Sequence, residues 1–334
     1  MNQTIEDVAR LAGVSRSTVS RVLNGSPRVS PATRDAVLRA VRESGYQLNA
    51  HARSLASGRN HAVAMLLTQP SDELFDDPTF RELVRGVSEG FGDSSDALLL
   101  LLAGSEVERR RTERFLSRQR IDGVVHLTPH TTDPLLDRIV DAGLPATVCG
   151  RLLQPTTSPL LRTVTVEDGA GGRAAAEHLV ACGATRIGMV AGPVDAAGSI
   201  ERLEGFRSAL GDRFDPELVR HGDYGTASGL AAAGELLDAH TDVDALFCAS
   251  DRMAAGAYWA AHDRGLRIPE DLQVVGFDGH PLGLELRPTL TTVRQPIQRL
   301  GQAAITMLRE LIEGEDPGHR VFSTELVVRG STRS

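Results

Sequence analysis

The sequence predicts a small all-α head of helix-turn-helix type, followed by an α/β core made of two doubly wound parallel-sheet subdomains. Three observations lead there. The first 45 residues carry three helix-length apolar stripes, each opened by a hydroxyl residue and closed by a glycine-containing stop. From His61 onward, short apolar runs alternate with helix-period stretches, the pattern of parallel strands joined by helical crossovers. Charge also divides the chain. Residues 1–60 hold nine arginines against four carboxylates, a net +5, so the rest carries −13 within a total of −8. A basic module on an acidic body points to nucleic acid at one end.

The elements follow in order. Thr4 is placed to cap the first helix, with Asp7 in capping-box position, and Ile5, Val8, Ala9 and Ala12 keep helical spacing up to Gly13. Ser15 is the next N-cap, ahead of an apolar face of Val19, Val22 and Leu23 and a stop at Asn24-Gly25. Ser30-Pro31 is an N-cap followed by proline at the first helical position. Val37, Leu38 and Val41 are predicted as the inner stripe of that third helix, and Gly45 as its end. Residues 49–58 have room for about two helical turns, which are marginal alone, so they read as a conditional linker. Strand candidates are 62–67, 97–103, 121–127, 145–149, 186–192, 245–250 and 273–278. Helix-period stretches cover 79–91, 106–120, 133–142, 168–182, 201–210, 227–239 and 252–264. Some 270 residues exceed one such sheet, so two are expected side by side.

Composition narrows the function classes. With 334 residues, 41% apolar and 24% charged, the chain is globular in type. Its longest apolar run, 97–103, is far short of the ~18 residues of a membrane span. The N-terminus shows no basic-then-apolar signal, so a cytoplasmic location without a membrane partner is expected. Cys149, Cys182 and Cys248 are odd in number and widely spaced, and read as buried structural thiols. The ten histidines form no metal-ligand spacing; His126 and His130 are four apart but separated by Pro129. Gly169-x-Gly171-x-x-Ala174 follows a strand-like VTV run as a dinucleotide fingerprint does. The next strand, RIGMVAG, lacks the acid that would hold a ribose, and Asp168 reads as a helix N-cap. No Gly-x-Ser-x-Gly elbow or P-loop is present. The expectation is no cofactor, no metal and no enzyme.

The segment TIEDVARLAGVSRSTVSRVLN (4–24) has the parts of a helix-turn-helix, whose second helix enters the major groove. The side of that helix opposite Val19 and Val22 carries Arg16, Ser17, Ser20 and Arg21. Arg21 can offer two parallel donors to guanine, worth about 1–3 kcal/mol of discrimination. Ser15, Thr18, Ser30 and Thr33 are short hydroxyl residues at helix starts, suited to phosphate oxygens. Thr4, Asn24 and Asn49 complete the expected DNA contacts.

This segment strongly resembles the head of the lactose-repressor (LacI/GalR) family of bacterial transcription regulators, whose heads read T-I-x-D-V-A-x-x-A-G-V-S-x-x-T-V-S-R-V-L-N. The likeness continues through VSPATRDAVLRAVRESGY (29–46) and ARSLASG (52–58). It implies that Arg16, Ser17 and Arg21 read bases and that residues 49–57 fold into a hinge helix on DNA. Leu55 would then be the wedge that kinks the operator centre, with Ala52 packed on the partner's hinge. Where the family has Tyr-x-Pro-Asn before the hinge, this chain has Tyr46-Gln47-Leu48-Asn49.

The resemblance covers the whole chain. It implies a head at 1–48, a hinge at 49–60 and a periplasmic-binding-protein-like core at 61–334. The first subdomain would hold about 61–161 and 294–321, the second about 162–293 and 322–330, with crossings near 162, 293 and 322. Ligands in such sheets sit beyond the carboxyl ends of strands, which selects Asp278 after QVVGFD, Asp251 after ALFCAS and Arg151 after PATVC. A carboxylate and a guanidinium facing across a cleft suit vicinal hydroxyls. By resemblance, Arg202 clamps the effector, Tyr224 is an aromatic platform, Thr79 and Phe80 line the first subdomain's turn, and Gln295 lies at a crossover. Each also has a structural reading: a cap for Asp278 or Asp251, an ion pair for Arg202, packing for Tyr224 or Phe80. Purine-binding relatives carry polar contacts where this chain has Ala196 and Gly198, so a carbohydrate effector is expected rather than a nucleobase.

The expected function is a dimeric, sequence-specific repressor of carbohydrate-utilisation genes. Its partners are double-stranded operator DNA, a sugar-like effector and a second copy of the chain. A solute-binding protein or a sugar-modifying enzyme would use the same cleft; the missing signal peptide and catalytic constellation argue against both. The chain ends in VVRGSTRS without a leucine heptad, so a dimer is expected rather than a tetramer. All 36 basic residues are arginine, so arginine at positions 16, 21, 151 and 202 signals charge there, not a choice over lysine.

Overall fold

The computed structural model describes residues 4–23, 28–46, 59–70, 74, 76–92, 94, 96–127, 133–152 and 158–333. The chain forms two compact units, Met1–His61 and Ala62–Ser334.

The first unit holds α1 (Ile5–Ala12), α2 (Arg16–Leu23) and α3 (Pro31–Ser44). Local chemistry sets the ends of α1 and α3. The Thr4 hydroxyl and amide both reach the Asp7 carboxylate, at 2.8 and 2.9 Å, while the Asp7 amide donates back to Thr4 Oγ1. Gly13 and Gly45 close α1 and α3 in the left-handed conformation. Val8, Ala9, Val19, Val22, Val37 and Ala40 form the buried core. Leu38 does not join it and is exposed. It lies about 100° round α3 from Val37, and Ala40 on the other flank packs inward in its place.

The second unit begins β1 (Ala62–Leu67), α4 (Pro78–Phe91), β2 (Ala97–Leu102), α5 (Glu106–Phe115), β3 (Gly123–Leu127), α6 (Pro134–Asp141), β4 (Ala146–Cys149) and β5 (Leu161–Val166). It continues with α7 (Asp168–Ala181), β6 (Ile187–Ala191), α8 (Ala197–Leu210), β7 (Val219–His221), α9 (Thr226–Ala239), β8 (Ala245–Cys248), α10 (Asp251–Asp263), β9 (Gln273–Asp278), α11 (Leu282–Glu285) and β10 (Thr291–Arg294). It closes with α12 (Ile297–Glu313), β11 (Arg320–Phe322) and β12 (Glu325–Val327). Two six-stranded sheets result, ordered β11-β5-β4-β3-β1-β2 and β12-β10-β9-β8-β6-β7. All pairings are parallel except β12 on β10. No helix among the described residues is long and apolar enough to cross a membrane.

The chain passes between the sheets three times. The first crossing, expected near 162, comes after Val166, because Leu161 to Val164 pair with Ala146 to Cys149 and keep β5 in the first sheet. The other two fall between β10 and α12 and between β11 and β12. The 106–120 stretch is helical only to Phe115, where Leu116 turns to extended backbone.

Glycines beside and beyond the apparent dinucleotide fingerprint have a packing role. A Cβ on Gly172 would sit 2.1 Å from the Arg202 carbonyl oxygen, and one on Gly205 1.9 Å from that of Gly169. They let α7 and α8 cross backbone to backbone. Gly86 and Gly301 do the same for α4 and α12, and Gly229 and Gly256 for α9 and α10. Cys149 and Cys248 are buried at the ends of β4 and β8; burial pushes the Cys149 thiol up to about 12. Cys182, expected to be buried, is half-buried at the end of α7, 3.6 Å from His178 Nε2.

Candidate functional site

In the head, α2 carries Arg16, Ser17 and Arg21 exposed on the side away from Val19 and Val22, with Ser20 half-buried beside them. Residues 17 and 21, like 16 and 20, are one helical turn apart, so the four side chains share one face. Arg16 pairs loosely with Glu6 at 3.3 Å. Ser15 Oγ accepts the Thr18 amide at 3.2 Å and lies 2.8 Å from Ser17 Oγ and 2.9 Å from Thr18 Oγ1. Ser30 accepts the Thr33 amide at 3.3 Å and lies 2.9 Å from Thr33 Oγ1. The hydroxyls of Thr4, Ser15 and Ser30 are thus helix caps in the first place. Asn24, Asn49, Ala52 and Leu55 lie outside the described residues.

In the second unit, four expected effector residues converge at the carboxyl end of the second sheet. Asp278 is the last residue of β9, held at φ 106°. Arg202 rises from α8, buried, and donates Nε to Asp168 Oδ1 at 2.7 Å and Nη1 to the Ala249 carbonyl at 2.6 Å. Its guanidinium lies 3.7 Å from the Phe277 ring centroid and 5.7 Å from that of Tyr224, and Nη1 is 3.8 Å from Asp278 Oδ1. Gln295 Nε2 donates to Asp278 Oδ1 at 2.7 Å, and its amide donates to the Asp278 carbonyl at 3.0 Å. Tyr224 sits at φ 70°, with its ring in the space that the missing side chain of Gly192 leaves open. Positive φ at two non-glycine residues of one cluster is stored strain of the kind found at functional sites.

Burial sets the electrostatics. It raises the Asp278 carboxyl above the ordinary range, while His280 and Arg202 pull it back and Asp77 adds to the rise. Burial works against the Arg202 charge, yet the carboxylates of Asp168 and Asp278 favour the ionised guanidinium. The Tyr224 phenol is pushed up to about 12, mainly by burial.

The remaining expected residues lie differently. Thr79 Oγ1 meets His280 Nε2 of the opposite subdomain at 3.2 Å. Phe80 is 6% exposed and packs in the first subdomain's core, which is the packing alternative. Arg151 faces Glu201 at 2.6 Å, not Asp278. Asp251 neither lines the cleft nor caps α10. It is fully buried, its Oδ1 takes the Thr292 hydroxyl at 2.6 Å and its Oδ2 the His280 amide at 2.6 Å; Ser250 is the cap. Asp168 is likewise not an N-cap but the first residue of α7, turned to Arg202. Arg252 reaches Asp77 at 3.5 Å, so among the described residues this pair, Arg151–Glu201 and Thr79–His280 join the two subdomains across the cleft.

A model of the lacI family of bacterial regulatory proteins matches residues 4–49, and one of the periplasmic binding protein-like domain matches 176–332. The HTH-type transcriptional regulator CelR of Thermobifida fusca is 40% identical over 333 residues, spanning 98% of each chain. The chain belongs to the LacI family. It is a transcriptional regulator with a helix-turn-helix head and a periplasmic-binding-protein-like core. Two solved structures of LacI-family regulators superpose over its length. A complex of CelR with cellobiose has a TM-score of 0.78 at 38% identity, covering 99% of this chain and all of that one. A lac repressor dimer bound to operator and the anti-inducer ONPF has 0.84 at 27%, covering both chains completely.

Three further residues near the ends of the strands escape sequence reasoning. Asp168 hides inside the false fingerprint, and His280 follows Asp278-Gly279 without a motif. Thr68, just past β1, has an Oγ1 that is buried without a hydrogen-bond partner among the described residues. The strand-end rule that selected Asp278 also covers Thr68.

Proposed function

We propose that this regulator is a dimeric repressor that binds a pseudo-palindromic operator and is switched by a neutral sugar in the core cleft. The Arg202–Asp278 cluster carries the reading. Arg202 already faces two carboxylates, Asp168 and Asp278, so the cluster has no spare positive charge for a phosphate. What it offers is hydroxyl chemistry: the Asp278 oxygens as acceptors, Gln295 as a polar neighbour and Tyr224 as a ring face for a sugar's C–H side. The likeness to the CelR–cellobiose complex supports a β-linked glucose disaccharide. Effector contacts are assigned to Arg202, Tyr224, Asp278 and Gln295, with Thr79 at the closing edge and Arg151 at the rim.

In the head, Arg16, Ser17 and Arg21 read base edges, while Thr18, Ser20 and Thr33 meet phosphates beside the capped helix starts. Asn24, Asn49, Ala52 and Leu55 extend the operator contact into the hinge, with Leu55 as the wedge. Two heads on a two-fold axis read two half-sites. The sugar acts only through its different affinity for the two arrangements of the core. Its fate is release, not conversion, and the protein works in the cytoplasm.

The test pairs calorimetry with operator titration. Cellobiose, maltose, glucose and glucose 6-phosphate are titrated into the protein, and operator affinity is measured with and without each. A neutral sugar that binds, returns unchanged and shifts operator affinity supports the proposal. Binding of the sugar phosphate alone, or conversion of the sugar, overturns it.

A further inference from the structure

His280 meets Thr79 and lies beside Asp278, but the sugar contacts named above do not include it. It is 1% exposed. Its amide is pinned to Asp251 Oδ2 at 2.6 Å, and Thr292 holds that carboxylate from the other side at 2.6 Å. The ring therefore has a fixed root. Its two nitrogens face different subdomains. Nε2 lies 3.2 Å from Thr79 Oγ1 in the first. Nδ1 is buried without a hydrogen-bond partner among the described residues and lies 3.8 Å from Asp278 Oδ2 in the second.

A separation of 3.8 Å is too long for a hydrogen bond. Buried polar atoms are otherwise nearly always satisfied, so a buried nitrogen without a partner calls for an explanation. A single oxygen about 2.8 Å from each partner would satisfy the ring nitrogen and the carboxylate together, since that length is ordinary for such bonds.

We propose that His280 is an effector-reading residue: its Nδ1 and Asp278 Oδ2 together bind one hydroxyl of the sugar, while its Nε2 holds Thr79. The proposal rests on the neutral-sugar reading above. The sugar hydroxyl donates to Asp278 and accepts from Nδ1–H, and Nε2 shares a proton with the Thr79 hydroxyl. One ring then reads the ligand and ties the two subdomains, so occupancy of the cleft is felt at the turn that begins α4.

Two side-chain amides separate the ring's two ends. His280→Asn places an amide near the Nδ1 position and gives up the reach to Thr79. His280→Gln reaches Thr79 and gives up the ligand side. Calorimetry is run on the wild type and both variants with cellobiose, or with maltose or glucose where these bind instead, and with the monodeoxy analogues of that sugar. His280→Gln is expected to lose about tenfold in affinity, the scale of one hydrogen bond with its partner left unsatisfied, and His280→Asn to stay within about threefold of wild type. One monodeoxy analogue should bind wild type and His280→Gln equally, which a merely structural role would not produce. A loss that is the same for every analogue, or no loss in His280→Gln, overturns the role of His280 and leaves the sugar site standing. No binding of any neutral sugar to the wild type overturns both.

Discussion

Arg202 reaches from α8 to Asp168, the first residue of α7, with Nε 2.7 Å from Oδ1 and both side chains about nine-tenths buried. The pair stands where α7 and α8 cross through Gly172 and Gly205, so the helix crossing sets the height of the guanidinium over the cleft. Without Asp168 the nearest carboxylate is Asp278, at 3.8 Å. Asp168→Asn leaves a buried charge short of its main partner, and such losses cost about 3–5 kcal/mol. Urea unfolding should show the core destabilised on that scale, with weakened sugar binding. An unchanged midpoint would mean that Phe277 and Asp278 hold Arg202 without help.

Asp278 predicts opposite pH trends for ligand binding and for folding. Burial raises its pKa in the folded protein, above the ordinary value of about 3.9. A sugar hydroxyl needs the ionised carboxylate, so affinity should fall on acidification already above pH ~4. For folding, a raised pKa means that the native state takes up this proton more readily than the unfolded chain. That contribution is fully present below about pH 3.9 and is lost as pH rises through the folded pKa. Calorimetry and thermal melts across pH 4–7, on wild type and Asp278→Asn, check both signs. A variant that keeps the wild-type acid loss of affinity would remove Asp278 as its cause.

Gly205→Ala should be severely destabilising although it adds one methyl group. Its Cβ would stand 1.9 Å from the Gly169 carbonyl oxygen, and backbone cannot yield as a side-chain tip does. Overpacking of this kind costs about 1–3 kcal/mol and occasionally more. Because Arg202 lies one turn earlier on α8, sugar affinity should fall with stability. Gly169→Ala is the contrast: its Cβ would meet the Glu201 carbonyl oxygen at an ordinary 3.5 Å and should leave both nearly intact. Equal effects would show that the crossing is not what the glycines serve.

Capping should be measurable in the head. Ser30→Ala removes the oxygen that accepts the Thr33 amide and should lower thermal stability by about 1 kcal/mol, whereas Ser30→Asp should restore it. Asp7 is held below the ordinary carboxylate range by its bonds to Thr4. Its share of stability is present above about pH 4 and lost as pH falls through its lowered pKa. Thr4→Ala removes the hydroxyl but keeps the backbone amide, which is the larger cause, so it should weaken that acid sensitivity without abolishing it.

The head was legible because its signals are local: a cap and its partner lie three residues apart. The sheets were legible where strands are continuous apolar runs. They were not where arginine interrupts three to six residues, as at Arg162 in β5, Arg220 in β7 and Arg294 in β10. In the cleft, the strand-end rule and the family likeness found Asp278 and Arg202. Asp168 and His280 meet partners 34 and 201 residues away, and no spacing rule reaches that far. Asp251 misled for a related reason. A carboxylate after a strand and at the start of a helix looks the same whether it faces a ligand or, as here, a threonine hydroxyl from β10.

Arg151 and Glu201 offer a test of what closes the cleft. They bridge the subdomains at 2.6 Å, but with side chains 47% and 29% exposed the pair is worth at most about 1 kcal/mol. Overall stability should therefore barely change in Arg151→Gln. Closure is a different quantity, because only a few such contacts hold it and each acts on that equilibrium directly. Where the sugar binds the closed arrangement, removing one bridge should weaken binding by up to about fivefold, the equivalent of that free energy. Screening sets the control. An exposed pair loses most of its attraction at 1 M salt, where the Debye length is about 3 Å. Wild type and variant should then differ in sugar affinity at low salt and converge at high salt. Arg252→Gln, which breaks the more sheltered contact to Asp77 at 3.5 Å, should keep more of its effect in salt. If Arg151→Gln binds sugar as wild type does at every salt concentration, the Thr79–His280 contact and the Arg252–Asp77 pair close the cleft without it.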